Sequence, residues 1–210
     1  MSKRPLPTIG VDKYTFFELI SDTAEGVAYG AAVSVPGTVQ ISPTDSAGTD
    51  TFNADNGIYE VESYIERMGH EIENADITPE IDALWRGIEK INGAVVVGNK
   101  TATKYFGAAW RILKTDGTYR YVKYFKGTYS FASNVGGKTK ASGGASDKQT
   151  AKATFTAVQR DYDDGVYMYV DQADVALGDE FEDISEFENA WFNDMATLTG
   201  DDKIVTATEV

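Results

Sequence analysis

The sequence predicts a mainly β protein with one strong helix and a second, short helix near its C-terminus. Three observations predict it. Residues 78–93, TPEIDALWRGIEKING, carry a complete helix signature. Most other apolar segments are short, rich in aromatic and β-branched residues, and bounded by turn formers. Thr115-Asp116-Gly117 between two such segments marks a hairpin. At 210 residues the chain can bury a substantial core, and no sharp shift of composition divides it, so one domain is expected. Residues 1–10 read as an N-terminal arm, 42–57 as a long loop, and 172–210 as an acidic C-terminal extension.

Residues 1–10 hold two prolines and no periodicity, which places them outside the core. Residues 11–20, VDKYTFFELI, form the first strand, with Tyr14, Phe16 and Ile20 on one face and Val11, Phe17 and Leu19 largely on the other. Residues 27–41 continue as strand, bent at Pro36-Gly37, and the proline points to a sheet edge. Residues 42–57 are turn formers around a single aromatic, Phe52. Connections usually run ~4–6 residues, so this loop is either docked on a partner or packed on itself. Residues 58–64 and 69–77 read as two strands. The second sets Glu71 and Glu73 against His70, Ile72, Asn74 and Asp76, so polar that both faces suit water.

In the helix, Thr78 caps, Pro79 takes the first position, Glu80 and Asp82 face the positive dipole end, and Asn92-Gly93 stops the run. Ile81, Leu84, Trp85 and Ile88 form one apolar stripe, the expected core contact. Residues 94–97 follow as a short buried strand. The hairpin of 105–114 and 118–126, with Asp116-Gly117 in a primed turn, carries aromatics on both faces and therefore predicts burial on both. Residues 133–149 are a Gly/Ser/Lys loop without phosphate-loop spacing, a flexible connection or a charged contact. Residues 151–160 and 166–171 read as a last hairpin. Ser185 with Glu188 reads as a capping box for a helix bearing Phe187, Ala190 and Trp191.

Composition narrows the chemistry. With no cysteine and one histidine, His70, the chain lacks a thiolate and has too few imidazoles for an ordinary zinc site or a two-histidine relay. The string 161–165, DYDDG, misses the glycine and glutamate spacing of a calcium loop. The carboxylate pairs Asp161/Asp163 and Glu180/Glu182 fall in solvated turns with nothing to raise a pKa. No enzyme activity, cofactor or metal is expected. No signal-peptide core and no membrane-length apolar run is visible, so a soluble, unprocessed protein is expected.

The net charge of −14 is unevenly spread: −3 over residues 1–50, −7 over 51–98, +10 over 99–160 and −14 over 161–210. Two readings stand. Strands of one sheet neutralise each other, or the basic face of one subunit meets the acidic face of the next. Nucleic-acid binding through the basic segment is disfavoured, because an acidic protein repels a polyanion at long range.

Several local strings in fixed order carry a family resemblance: Tyr29-Gly30, Val35-Pro36-Gly37-Thr38-Val39-Gln40-Ile41, Phe52-Asn53-Ala54-Asp55-Asn56-Gly57-Ile58-Tyr59, Asp76-Ile77-Thr78-Pro79-Glu80, then Phe106-Gly107 and Trp110. Over roughly residues 10–175 the chain resembles the major tail proteins, or tail tube proteins, of bacteriophages with long, non-contractile tails. The resemblance implies a two-sheet β-sandwich or barrel with a flanking helix, assembling into stacked hexameric rings as a virion tail tube. It implies partners: copies of itself, tape measure protein, tail terminator and distal tail proteins. DNA would pass through the lumen without specific binding, and the protein would be made in the host cytoplasm with no membrane association. On that reading Phe52, Asp45, Asp50, Lys138 and Lys140 are candidate inter-subunit contacts. Glu71 and Glu73 are candidate lumen residues, with Glu60 and Glu62 as neighbours. The rival expectation is a carbohydrate- or receptor-binding β-sandwich using exposed tyrosines and Trp110 or Trp191 as stacking platforms.

Overall fold

Strand-forming sequence dominates the structure, a computed structural model that describes residues 5–98, 103–130, 136–137, 139, 148–175, 177 and 181–195. It is mainly β, with a large antiparallel sheet and two helices. In chain order the elements are β1 (Thr8–Thr23), β2 (Gly26–Tyr29), β3 (Val33–Ser34), β4 (Thr38–Pro43), β5 (Ser46–Ala54) and β6 (Gly57–Asn74). There follow α1 (Pro79–Arg86), β7 (Lys90–Ile91), β8 (Ala94–Val95), β9 (Phe106–Lys114), β10 (Tyr119–Ser130), β11 (Ala151–Ala157), β12 (Tyr167–Asp171) and α2 (Ile184–Asn193). The sheet runs β2-β1-β9-β10-β11-β6-β4, with β3 on β1, β5 on β6 and β12 on β10, while β7 and β8 form a separate ribbon. Among the described residues no ladder joins β4 to β1, so the sheet does not close into a barrel.

Alternation in the strands buries both faces of the sheet's middle. Tyr14, Phe16, Trp110, Val122 and Tyr124 join Ile72, Phe155 and the α1 residues Ile81 and Trp85 in one core. Phe17, Ala109, Tyr121 and Phe125 form the other core with Phe187 and Trp191 of α2. The split of Tyr14 and Phe16 from Phe17, and the two-sided burial of the 106–130 hairpin, follow the sequence expectation. Ile20, expected with Tyr14 and Phe16, is exposed instead.

Helix α1 is shorter than its signature. Thr78 Oγ1 accepts from the Ile81 amide at 3.4 Å, as expected of the cap. Gly87, not Asn92-Gly93, ends the helix: it takes a left-handed φ of 63° and its amide reaches the Leu84 carbonyl at 3.0 Å. Asn92 and Gly93, both at positive φ, instead turn the β7–β8 ribbon. With about two turns, the helix buries Ile81 and Trp85 at i and i+4 and leaves Leu84 39 % exposed. Ile88 lies past its end, half-buried. Trp85 stacks on Tyr129 at 4.0 Å between centroids and meets Phe16 edge-on at 5.5 Å.

Other expectations need correction. Thr8 and Gly10 already pair with β9, so the N-terminal arm ends sooner than residue 10. Residues 42–57 are not a loop: most belong to β5, and 58–64 and 69–77 are largely one strand, β6. The end of β6 is not polar on both sides, because His70, Ile72 and Asn74 are fully buried. Residues 94–97 are exposed or half-buried rather than buried. In the β9–β10 turn only Gly117 has positive φ, so a Lys114–Gly117 turn ending on that left-handed glycine replaces the primed turn. β11 and β12 do not pair with each other; both join the same side of β10, at different heights.

Between them, Arg160 and Asp163 form a fully buried ion pair that ties the 158–165 loop. The α2 cap is Asp183, which accepts from the Ser185 and Glu186 amides at 2.8 and 2.9 Å, two residues before the expected Ser185. Arg111 and Lys13 both reach Glu188 of that helix, and buried Lys123 donates to the Asp194 carbonyl at 2.8 Å beyond its end.

Candidate functional site

β5 and the first half of β6 form a hairpin arm over residues 46–67 that pairs with no other described element. Its tip is a two-residue turn, Asp55-Asn56, with φ of 48° and 66°; Asp and Asn are among the few side chains that enter that region readily. At its root, the Asp45 carboxylate accepts from the Gly69 amide at 3.0 Å and the Thr44 amide donates to the Gly69 carbonyl at 3.0 Å. Gly69 marks the entry of β6 into the body, between β11 and β4, where a side chain would overlap the Phe155 carbonyl.

Cross-strand register divides the arm into two unlike faces, since residues directly opposite share a face. Gly48 lies opposite Tyr64, Asp50 opposite Glu62 and Phe52 opposite Glu60. Tyr59, the bulged residue next to Glu60, sets its ring edge-on to Phe52 at 6.3 Å. That face carries three carboxylates and, at the root opposite Ser46, Arg67. The other consists of the pairs Ala47–Ile65, Thr49–Ser63, Thr51–Val61 and Asn53–Ile58, none of them charged, with Glu66 the bulged residue at the root beside Ile65. Phe52, Ile58, Tyr59, Val61, Tyr64 and Ile65 are each more than half exposed. A two-stranded hairpin without a packed face is marginal in water.

On the body, alternation turns Glu71 and Glu73 outward. Lys152 Nζ stands 2.8 Å from Glu71 and 3.4 Å from Glu73, and Thr150 donates to Glu73. The Thr150 hydrogen bond, with Lys152 beside it, lowers the Glu73 pKa. Gln40, Ser42 and Thr154 flank them in register, so this strip shows only polar side chains. Glu60 and Glu62 are not beside Glu71 and Glu73; they belong to the arm.

Behind the strip His70 is enclosed by Trp110, Phe155 and Tyr124 at 4.6, 4.9 and 5.1 Å between ring centroids, with Nε2 2.7 Å from the Tyr14 hydroxyl. Burial lowers its pKa to about 3, so it stays neutral.

A cavity of about 210 Å³ opens at the arm root between Pro43, Asp45 and a ladder of rings. Trp110, Tyr124, Tyr167 and Tyr169 stack in succession at 5.5, 5.0 and 6.4 Å. Trp110 and Tyr124 are buried, while Tyr167 and Tyr169 reach solvent. Trp191 is fully buried and offers no stacking platform.

Of the candidate contacts, Phe52 and Asp50 lie on the charged face of the arm and Asp45 at its root; Lys138 and Lys140 lie outside the described residues. Asp161 pairs with Lys126 and Asp163 with Arg160, while Glu180 lies outside the described residues. Among the described residues no group of three or more His, Asp or Glu side chains is placed to hold a metal. The arm itself was within reach of sequence reasoning: Asp55-Asn56-Gly57 holds the residue types of a positive-φ hairpin turn, although the Asn-Gly rule would set the turn at Asn56-Gly57, one residue past the observed Asp55-Asn56. No family model matches the chain, and no curated protein matches it.

Proposed function

We propose that the protein is a self-assembling structural subunit, the tail tube protein of a phage with a long, non-contractile tail, building a conduit from stacked rings. The observation that carries this reading is the hairpin arm. Ile58, Val61 and Ile65, each more than half exposed on one face of an unsupported two-stranded ribbon, call for a partner surface, and a repeating subunit supplies one at every copy. The large antiparallel sheet, covered by α1 on one face and by α2 on part of the other, agrees with a sandwich-like tube subunit. The uncovered polar strip bearing Glu71 and Glu73 is the candidate inner wall. A conduit for a polyanion must avoid attractive contacts, and on this polar, on balance acidic strip the Lys152 cation is paired with Glu71 and Glu73. Negative-stain microscopy of the concentrated protein tests the reading. Rings or tubes of uniform diameter are expected; monodisperse monomers at every concentration would contradict it.

The aromatic cavity at the arm root supports the second reading, a glycan-binding module, because the partly exposed Tyr167 and Tyr169 line it beside Asp45. Glycan-array binding that Tyr169→Ala abolishes would favour it.

A further inference from the structure

The two faces of the arm cannot serve the same purpose. We infer that the uncharged face, built on Ile58, Val61 and Ile65 with Ala47, Thr49 and Thr51, is the surface that seats on a second copy of the chain, while the face carrying Asp50, Glu60 and Glu62 stays in water. The inference rests on the self-assembly reading above and goes beyond it by choosing the face. It also moves the contact away from Phe52 and Asp50.

Three observations support the choice. First, Asp50 and Glu62 stand directly opposite each other, a like-charge pairing that disfavours the hairpin and is tolerable only where water screens it. Seating that face would strip water from three carboxylates at once. Second, the receiving surface belongs to a chain of net charge −14, and among the described residues most of the cations that could meet those carboxylates are paired within their own subunit. Lys104 pairs with Glu18, Arg111 with Asp12 and Glu188, Lys114 and Arg120 with Asp171, and Lys126 with Asp22. Third, the uncharged face offers aliphatic and threonine side chains on a pleated surface, the composition that packs against another sheet without leaving a buried charge unpaired.

The size of the face sets the mode of association. Nine residues at ~3.3 Å rise make a ribbon ~30 Å long, and two strands at ~4.8 Å spacing make it ~10 Å wide. One face therefore covers about 300 Å², against ~800 Å² per partner in a standard stable interface. A single arm contact is too small to hold a dimer. With each copy giving its arm to one neighbour and receiving an arm from another, the contact is head-to-tail and gains strength only as copies accumulate.

Charge placed on either face discriminates. Thr51→Glu with Val61→Glu puts two carboxylates opposite each other on the uncharged face; Asp50→Asn with Glu60→Gln and Glu62→Gln removes three from the charged face. Both sets alter exposed residues outside the body core, and circular dichroism confirms that each variant is folded. Sedimentation velocity across a concentration series reads assembly. Wild type is expected to move from monomer to large species steeply with concentration. The Thr51/Val61 variant should remain monomeric at ten times the wild-type threshold, and the Asp50/Glu60/Glu62 variant should assemble at or below it. Wild type that assembles while the neutralised variant does not would show the charged face docking, on a basic loop of the neighbour for example, and would overturn the choice of face alone. Assembly unchanged in both variants would equally overturn the choice of face. Wild type that stays monomeric throughout would overturn the self-assembly reading and this inference with it.

Discussion

His70 shows how far a residue's surroundings depart from its sequence neighbours. Read as EIEN after a histidine, the end of β6 looks fit for water on both sides, yet the register with β11 and β4 turns His70, Ile72 and Asn74 into the core. Burial lowers the imidazole pKa to about 3 from an unfolded value near 6.5. Below about pH 6.5 the unfolded chain therefore binds a proton that the folded chain refuses, and stability falls as pH falls. His70→Gln should remove up to ~1.4 kcal/mol per pH unit of that slope between pH 6 and 5, above the range where carboxylates dominate. Urea unfolding at a series of pH values measures it; an unchanged slope would place the imidazole in contact with water.

Trp85, by contrast, was legible, because its stripe and cap are both written locally. Trp85→Ala should cost ~3–5 kcal/mol, the usual range for emptying a core aromatic site. A shift in the urea midpoint worth under ~1 kcal/mol would contradict its stacking on Tyr129.

Elements were legible where periodicity and punctuation agree and illegible where tertiary pairing decides. The β9–β10 hairpin and the start of α1 emerge from sequence. The end of α1 does not, because both Gly87 and Asn92-Gly93 are valid stops and local sequence cannot rank them. β11 and β12 look like one hairpin because only tertiary contacts reveal that each pairs with β10.

Helix α2 depends on a cation that no local pattern announces. Lys123 is fully buried against Trp191, 4.4 Å from the ring centroid, and burial lowers its pKa to about 7 from 10.5. The unfolded state then holds more protons between about pH 7 and 10.5, so stability rises with pH across that window. Lys123→Met should flatten that rise, which denaturant melts at pH 7 and 9.5 would detect. An equal rise in the variant would assign it to other groups.

The whole molecule separates its surfaces by chemistry: an aliphatic arm face, an acidic arm face, a polar sheet strip, and a sheet face sealed by α2. If the strip lines a lumen, its charge is modest per copy, since Lys152 sits against both Glu71 and Glu73. Repetition around an axis would focus it. Glu71→Lys with Glu73→Lys would gather three cations there and should make assembled tubes retain DNA in low salt, with release as salt rises. Retention no greater than wild type, read by gel shift of purified tubes, would remove the strip from the lumen.

On the self-assembly proposal, a second copy completes the arm. Hydrogen–deuterium exchange over residues 46–67, compared between dilute monomer and concentrated assembled protein, tests it most directly. Fast exchange is expected throughout the arm in the monomer, beside a protected body, and at least a tenfold slowing across the arm on assembly. Arm amides that exchange equally fast in assembled and monomeric protein would contradict it.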